Sequence, residues 1–526
     1  MYVETLRNSS IIRMTTSAPK SGYAALTRPT DAPVIFGQIP SPRSGRTVDP
    51  NATVQPPLPG GREIQAGRAF SDRIGRAGLA AALLLLGTVA QAMPRIETWQ
   101  TTNGAKVLFV TAPELPMVDV KVVFDAGSAR DGDHPGLAAF TAGMLNEGAR
   151  DWNADTIAER LENVGARLSA AVDRDMTSVA IRSLTREPAL ETAVETLAGV
   201  LTAPSFPPDD LERNRENTLI ALRQEQEQPA KVAQKALYRQ VFGSHPYAAD
   251  PSGTAASVRA LTRADLQSFH DRYYTGANAV VAIVGALDRP AAAALAERVV
   301  GRLPAGERAA PLPAVPELTD ASLTQVPFPS SQTHVLAGQP GMARGDPDYF
   351  ALYLGNHILG GSGLVSLLME EVREQRGLSY STYSYFIPLA QPGPFLMGLQ
   401  TKNTQAEQAR SVLVDTLRRF TSSGPTEEQM TAAKKNLTGG FPLRIAENAD
   451  IIPYLAVIGF YGLPLDYLDR FTDRIQAVTA AQVRDAFARR VHPERLATVT
   501  VGGNGGTVGN GGIRDEAQPA AGDEPH

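Results

Sequence analysis

The sequence predicts an α+β protein of two homologous α/β domains, each a mixed sheet packed with helices, joined by a Pro/Ala-rich linker. Three observations predict it. At 526 residues the chain is too long for one compact core. From Ile96 onward short apolar strands alternate with longer stretches of helical period. Two segments also superpose without a gap, Leu261 on Val478 through Gly285 on Gly502, with Thr262 on Thr479 and Arg272 on Arg489. Between them lies LPAGERAAPLPAVPE, residues 303–317, whose Pro and Ala content reads as a linker. The expected division is an N-terminal extension over 1–70, a leader over 71–92, a first domain over 93–302, the linker, a second domain over 318–503 and a tail over 504–526.

Composition narrows the function. A formal net charge of −5 with 20% charged residues argues against a nucleic-acid surface, which needs a basic patch. Cysteine is absent, which excludes disulfides, thiolate metal sites and a cysteine nucleophile.

The leader has the parts of a secretory signal peptide: Arg73 and Arg76, the apolar run Leu79 to Val89, then Ala90-Gln91-Ala92. The run is about half of the roughly 20 residues that span a bilayer. A short buried helix and a membrane anchor are the alternatives. Residues 1–70 are rich in Pro, Ser, Thr and Arg without sustained periodicity, as in disordered segments. Because a signal normally begins a chain, the true translation start is expected downstream of Met1. The mature protein is then expected to begin near Met93 and to be exported to a periplasm, with no stable membrane span after signal cleavage.

Within the ordered part, Asn103-Gly104 marks a hairpin, and Val118 to Phe124 a strand ending in the polar loop DAGSARDGD. Helices are expected at Pro135 to Glu147, at Ala154 to Val164 with Asp155 near the cap, at Ala189 to Leu201 and at Pro208 to Glu227. Two strands fall within Leu168 to Leu184, and another at Ala279 to Val284. In the second half His334 to Leu336 is a strand, Tyr349 to Leu359 a helix, and Gly398 to Thr401 the end of a strand. Helices follow at Thr404 to Phe420 and Thr426 to Leu437. The segment after Gly502 has no core-forming residues and reads as a flexible tail.

The stretch LGGSGLVSLLMEEVREQRGLSYSTYSYF, Leu359 to Phe386, carries the densest pattern. Gly360, Gly361 and Gly363 permit a tight turn into a helix. Leu364, Leu367, Leu368 and Val372 recur at helical spacing, so that helix should bury one face. Gly377 is placed to end it in a left-handed cap. The alternating, Tyr-rich LSYSTYSYF then reads as a strand, with Tyr383 and Tyr385 on the face opposite Tyr380. Two readings stand for Arg373 and Tyr380. Either Arg373 pairs with Glu370 and Tyr380 packs in the sheet, or both contact a ligand.

Other chemistry is sparse. None of the seven histidines shares a helical turn with another, so HExxH, HxxEH and HxxxH are all missing. His245 and His492 precede prolines and belong in loops, and His357 reads as a packed helical residue. There is no G-x-S-x-G elbow. Gly360 to Gly363 lacks the Lys-Ser/Thr of a phosphate cradle, and the acidic runs at Glu225 and Glu370 read as solvated faces.

The duplicated α/β halves, ILGGSGLVSLLMEEVREQRGLSYSTYSYF, and SHPYAADPSGTAASVRALTRADLQSFHDRYYTGANAVVAIVGA resemble the pitrilysin/insulinase metallopeptidases, the inverzincins, over roughly residues 95–503. The resemblance implies a pitrilysin-like (LuxS/processing-peptidase-like) fold for each half. In that family an HxxEH helix and a distant glutamate in an N-terminal half hold zinc, and an arginine and a tyrosine from a C-terminal half close over the substrate. Here Ala139, Ala142 and Gly143 stand where the two His and the Glu belong, on one helix face. That face has no imidazole for zinc and no carboxylate to activate water. The distal ligand position registers best with Arg223, with Glu216 and Glu225 as alternatives. Arg373 and Tyr380, with Gly377-Leu378 between them, match the family's pair. The resemblance implies that Arg373 hydrogen-bonds substrate carbonyls and that Tyr380 donates to the carbonyl oxygen as charge develops there.

The expectation is therefore a non-catalytic, substrate-binding subunit of an exported zinc-dependent heterodimeric peptidase. The chain itself holds no metal and is inactive alone. It supplies Arg373 and Tyr380 in trans to a homologous partner whose HxxEH site carries the zinc, on peptide or unfolded polypeptide. The alternative is a binding or structural homologue with no role in proteolysis.

Overall fold

The computed structural model describes residues 95–503. The extension, the leader, the start of the mature chain and the tail expected from the sequence lie outside the described residues.

The first half opens with the expected hairpin: β1 (Glu97–Gln100) pairs antiparallel with β2 (Lys106–Thr111), and Gly104 takes a φ of +91° that favours glycine. There follow β3 (Met117–Phe124), helix α1 (Leu137–Gly143), a short ribbon of β4 (Gly148–Ala149) and β5 (Trp152–Asn153), and α2 (Ala154–Glu162). The cap of α2 is Asn153, whose side chain accepts from Thr156 N at 2.9 Å; Asp155 lies inside the first turn. Next come β6 (Arg167–Val172), β7 (Thr177–Leu184), α3 (Ala189–Thr202), α4 (Pro208–Gln226), α5 (Pro229–Phe242), α6 (Ala255–Ala260), α7 (Arg263–Tyr273), β8 (Ala279–Gly285) and α8 (Arg289–Val300). Six strands form one sheet in the order β1-β2-β8-β3-β7-β6.

The second half contains β9 (Ser322–Pro327), β10 (Gln332–Pro340), α9 (Tyr349–Asn356), the short α10 (Leu367–Met369), β11 (Thr382–Phe386) and β12 (Pro394–Lys402). Helices α11 (Ala406–Ser423), α12 (Glu427–Gly440), α13 (Asn448–Tyr461), α14 (Tyr467–Ala477) and α15 (Ala480–Arg490) precede β13 (Ala497–Gly502). The sheet order is β11-β12-β10-β13-β9. Strand β9, which the sequence reading lacked, is an edge strand parallel to β13.

The two halves repeat one plan. Strands β8 and β13 each lie between one parallel and one antiparallel neighbour. Thr262 and Thr479 open α7 and α15 with matching capping boxes, their side chains accepting from Asp265 N and Gln482 N. Both sheets are mixed and covered by helices, as expected.

Helices α5 and α13, equivalent in the repeat and both unforeseen from the sequence, cross between the halves. Helix α5 lays Leu237, Tyr238, Val241 and Phe242 against Leu396, Val499 and Val501 of the second sheet. Helix α13 lies on β2, β3 and β8 of the first sheet, and a Cβ on Gly459 would meet a Val280 methyl at 2.5 Å and a Leu108 methyl at 2.6 Å. It is apolar almost all round, with Ile451 to Gly459 nearly all buried, because both of its sides are covered. Residues 303–317 have no helix or strand, yet Leu312 and Val315 pack on the α5 cluster, and the carbonyl of Pro313 lies 3.0 Å from His245 Nε2.

Candidate substrate-binding site

The loop Asp125–Gly136 presents α1. Buried Asp131 accepts from Gly136 N at 2.7 Å and Ala138 N at 2.8 Å, occupying amides that α1 leaves unpaired at its start. Burial pushes this carboxyl up to about 7, against the pull of those two amides. Helix α1 is shorter than the sequence suggests: it stops at Gly143, so that glycine ends the helix rather than interrupting it.

Ala139, Ala142 and Gly143 share α1, and Ala142 is buried. A Cβ on Gly143 would lie 3.4 Å from Asn214 Nδ2 of α4. Asn214 is thus the α4 residue that faces this position, in place of the registers read from sequence. Arg223 and Glu216 are exposed, and Glu225 pairs with Lys235 at 2.7 Å. The helical spacing of Leu211, Asn214 and Leu222, the buried stripe of α4, was the signal that could have found it. Methyl groups, a glycine and an amide do not fit zinc, which takes imidazole, thiolate or carboxylate ligands. Among the described residues no three His, Cys, Asp or Glu side chains are grouped for a metal.

In the second half the chain leaves α9 through a π-turn at His357–Gly361 and a 3-10 turn at Gly363–Val365, the latter starting at a left-handed Gly363 (φ +63°). Helix α10 begins only at Leu367, capped by Ser366, and continues as a π-turn over Glu370–Glu374. Leu368 and Val372 are fully buried as expected, but Leu364 is 63% exposed because it precedes the helix. His357 is buried, and burial, reinforced by Arg444, lowers it to about 4, so it is a neutral packing residue.

Arg373 lies in the π-turn. Its guanidinium makes no hydrogen bond or ion pair within the described residues: Glu370 takes Gln375 instead, and Glu371 takes Arg376 at 2.7 Å and Arg419 at 3.0 Å. Gly377, at φ +61°, ends the helical path as expected, and Leu378 N closes back on Val372 O at 2.9 Å. Strand β11 starts at Thr382, two residues later than the alternation requires for Tyr380 to belong to it. Continued through Tyr380, the strand would turn that ring inward with Thr382, Ser384 and Phe386; the turn at Leu378–Ser381 turns it out instead. Tyr380 is 87% exposed, and its hydroxyl has no partner among the described residues. Tyr383 and Tyr385 share the other strand face and stack 5.5 Å apart, a structural pair.

A family model described as insulinase (peptidase family M16) matches residues 106–254, and one described as peptidase M16 inactive domain matches residues 260–437. An uncharacterized zinc protease of Mycobacterium tuberculosis is 30% identical over 408 residues, 77% of this chain and 92% of that protein. The chain belongs to the insulinase (M16) peptidase family. The non-peptidase homolog YmxG of Helicobacter pylori is 27% identical over 410 residues, 76% of this chain and 93% of that protein. The crystal structure of a peptidase M16 inactive domain from Pseudomonas fluorescens superposes with a TM-score of 0.75 at 39% identity, covering 77% of this chain and 97% of that one. The match to the inactive-domain model and the likeness to that inactive-domain structure and to YmxG make this M16 member an inactive homologue. No helix among the described residues is long and apolar enough to cross a membrane.

Proposed function

We propose that this chain is the non-catalytic, substrate-binding subunit of an exported, zinc-dependent two-chain peptidase. The observation that carries the reading is Arg373 and Tyr380 together: an exposed guanidinium with no partner among the described residues and a tyrosine 87% exposed, on the two sides of one glycine-stopped turn. Long polar and aromatic side chains lose rotamer freedom only when something holds them, and among the described residues nothing does. The Arg373 fork matches peptide carbonyls. The Tyr380 hydroxyl is a donor for a carbonyl oxygen that gains negative charge. Hydrolysis belongs to a homologous partner with HxxEH and its zinc; this chain binds and orients peptide or unfolded polypeptide.

The test is co-purification with an HxxEH homologue from the same genome, then turnover of a quenched fluorescent, unstructured peptide. Arg373→Ala and Tyr380→Phe should each lower kcat/KM by about 100-fold, with the complex intact. Unchanged turnover in both variants removes the proposed role. A second reading, a binding or structural homologue without proteolysis, draws support from the name of the Helicobacter relative. A stable complex that turns over no peptide would favour it.

A further inference from the structure

Tyr380 is exposed, yet the turn that carries it is fastened. Ser379, 7% exposed, holds its hydroxyl 2.7 Å from both Gln400 O and Ser381 O, which share its one proton, and accepts from Ser381 N at 3.2 Å. Thr401, 1% exposed, donates to Leu378 O at 2.5 Å. Thr382 donates to Gly398 O at 3.2 Å. Three buried hydroxyls thus stitch Leu378–Thr382 to β12, and Leu378 N ties the same turn to the Arg373 segment through Val372 O. Buried hydroxyls with all their bonds made hold a backbone in one conformation. A turn whose purpose was to join helix and strand would not require its largest side chain to face solvent.

We infer that Ser379 is a positioning residue: through Gln400 and the Ser381 amide it fixes the backbone on which Tyr380 stands, so the phenol meets substrate already oriented. This rests on the proposed role of Tyr380. Preorganised donors act without reorganisation at the moment of reaction, and a displacement of about 1 Å costs up to about 100-fold in rate.

The test has two arms. In the first, hydrogen exchange is followed on the chain alone. Ser379→Ala should speed exchange over residues 378–383 by about 10-fold while the rest of the second sheet stays protected. Unchanged exchange overturns the inference. In the second arm, the complex with the HxxEH subunit is assayed on the quenched peptide. Ser379→Ala should lower kcat about 10-fold with KM within about twofold, and Ser379→Thr, which keeps the hydroxyl, should restore it. A Tyr380→Phe loss without a Ser379→Ala loss overturns the inference and leaves the role of Tyr380 standing. No loss in either variant overturns both. Thr401→Val, which cuts the second stitch, should reproduce the Ser379→Ala pattern; if only the serine variant is affected through misfolding, exchange will be raised across the whole sheet, and the inference fails.

Discussion

The carboxylate of Asp175, in the β6–β7 turn of the first half, accepts a hydrogen bond of 2.8 Å from the hydroxyl of Tyr461, the last residue of α13 in the second. The same carboxylate takes Ala390 N at 2.7 Å and the Tyr247 hydroxyl at 2.5 Å, and that hydroxyl in turn accepts from Gln391 N at 3.1 Å. One buried acid therefore ties the halves directly at two points, and at a third through Tyr247, beyond the apolar contacts of α5 and α13.

Asp175→Asn should destabilise the protein by about 2–3 kcal/mol, since an amide turns a donor toward other donors. Tyr461→Phe should cost about 1–2 kcal/mol. Urea unfolding of both single variants and the double should give a coupling energy of about 1 kcal/mol or more. Strictly additive costs would show that the contact carries no coupling.

Asp131 and Asp173 should each withdraw stability as pH rises from about 4 to 7, against the opposite contribution of buried His357, whose lowered value favours folding as pH rises over the acid part of that range. Burial holds Asp131 up to about 7 and Asp173 up to about 6. Both folded values lie above the ordinary carboxylate range, so the folded state holds protons that the unfolded chain has released. The stability from each is present below about pH 4 and lost as pH rises through 6 to 7, at up to about 1.4 kcal/mol per pH unit per group. Urea midpoints from pH 4 to 8 in the parent and in Asp131→Asn isolate the Asp131 contribution: the variant should gain on the parent as pH rises toward 7. The same slope in that variant would exclude Asp131 as a source.

The purified chain should carry well under one zinc per molecule by elemental analysis. Near-stoichiometric zinc with peptidase activity of the isolated chain would contradict the reading. Installing Ala139→His, Ala142→Glu and Gly143→His should give only weak zinc binding, because α4 offers Asn214 rather than a carboxylate. Adding Asn214→Glu should tighten it by about 10-fold or more by chelator competition, if Asn214 holds the distal position.

Gly459→Val should destabilise by about 1–3 kcal/mol, since its side chain would enter the space of Val280 and Leu108. Truncating Leu108 to Ala in the same chain should recover part of that loss. An unaffected melting curve would mean that α13 sits further from the first sheet.

Much of this was legible in residues whose partners are close in sequence. Asn103-Gly104 marked its hairpin, Thr262 and Thr479 marked the repeat, and Gly377 marked the end of the helical path. Arg373 and Tyr380 were legible through the phrase around them, but the outward turn at Tyr380 was not, because it depends on Ser379 and Thr401 reaching across to another strand. Nor did local pattern show which sheet α13 covers: Ile451 to Gly459 are apolar on every side, and their neighbours Leu108 and Val280 lie far back in the chain. Asn214 escaped for a related reason: the sequence register fell on Arg223, with Glu216 and Glu225 as alternatives, whereas the buried stripe of α4 turns Asn214 toward Gly143.

The crossing of α5 and α13 has a consequence for how the polypeptide is made. The first sheet is complete in sequence at β8, but its covering helix is not synthesised until Tyr461 has emerged. At about 5–20 residues per second that is a delay on the order of ten seconds or more. During it Leu108, Val110, Val280 and Val284 have nothing of their own half to shield them. The nascent chain is therefore obliged to wait, unfinished and sticky, until nearly all of it exists.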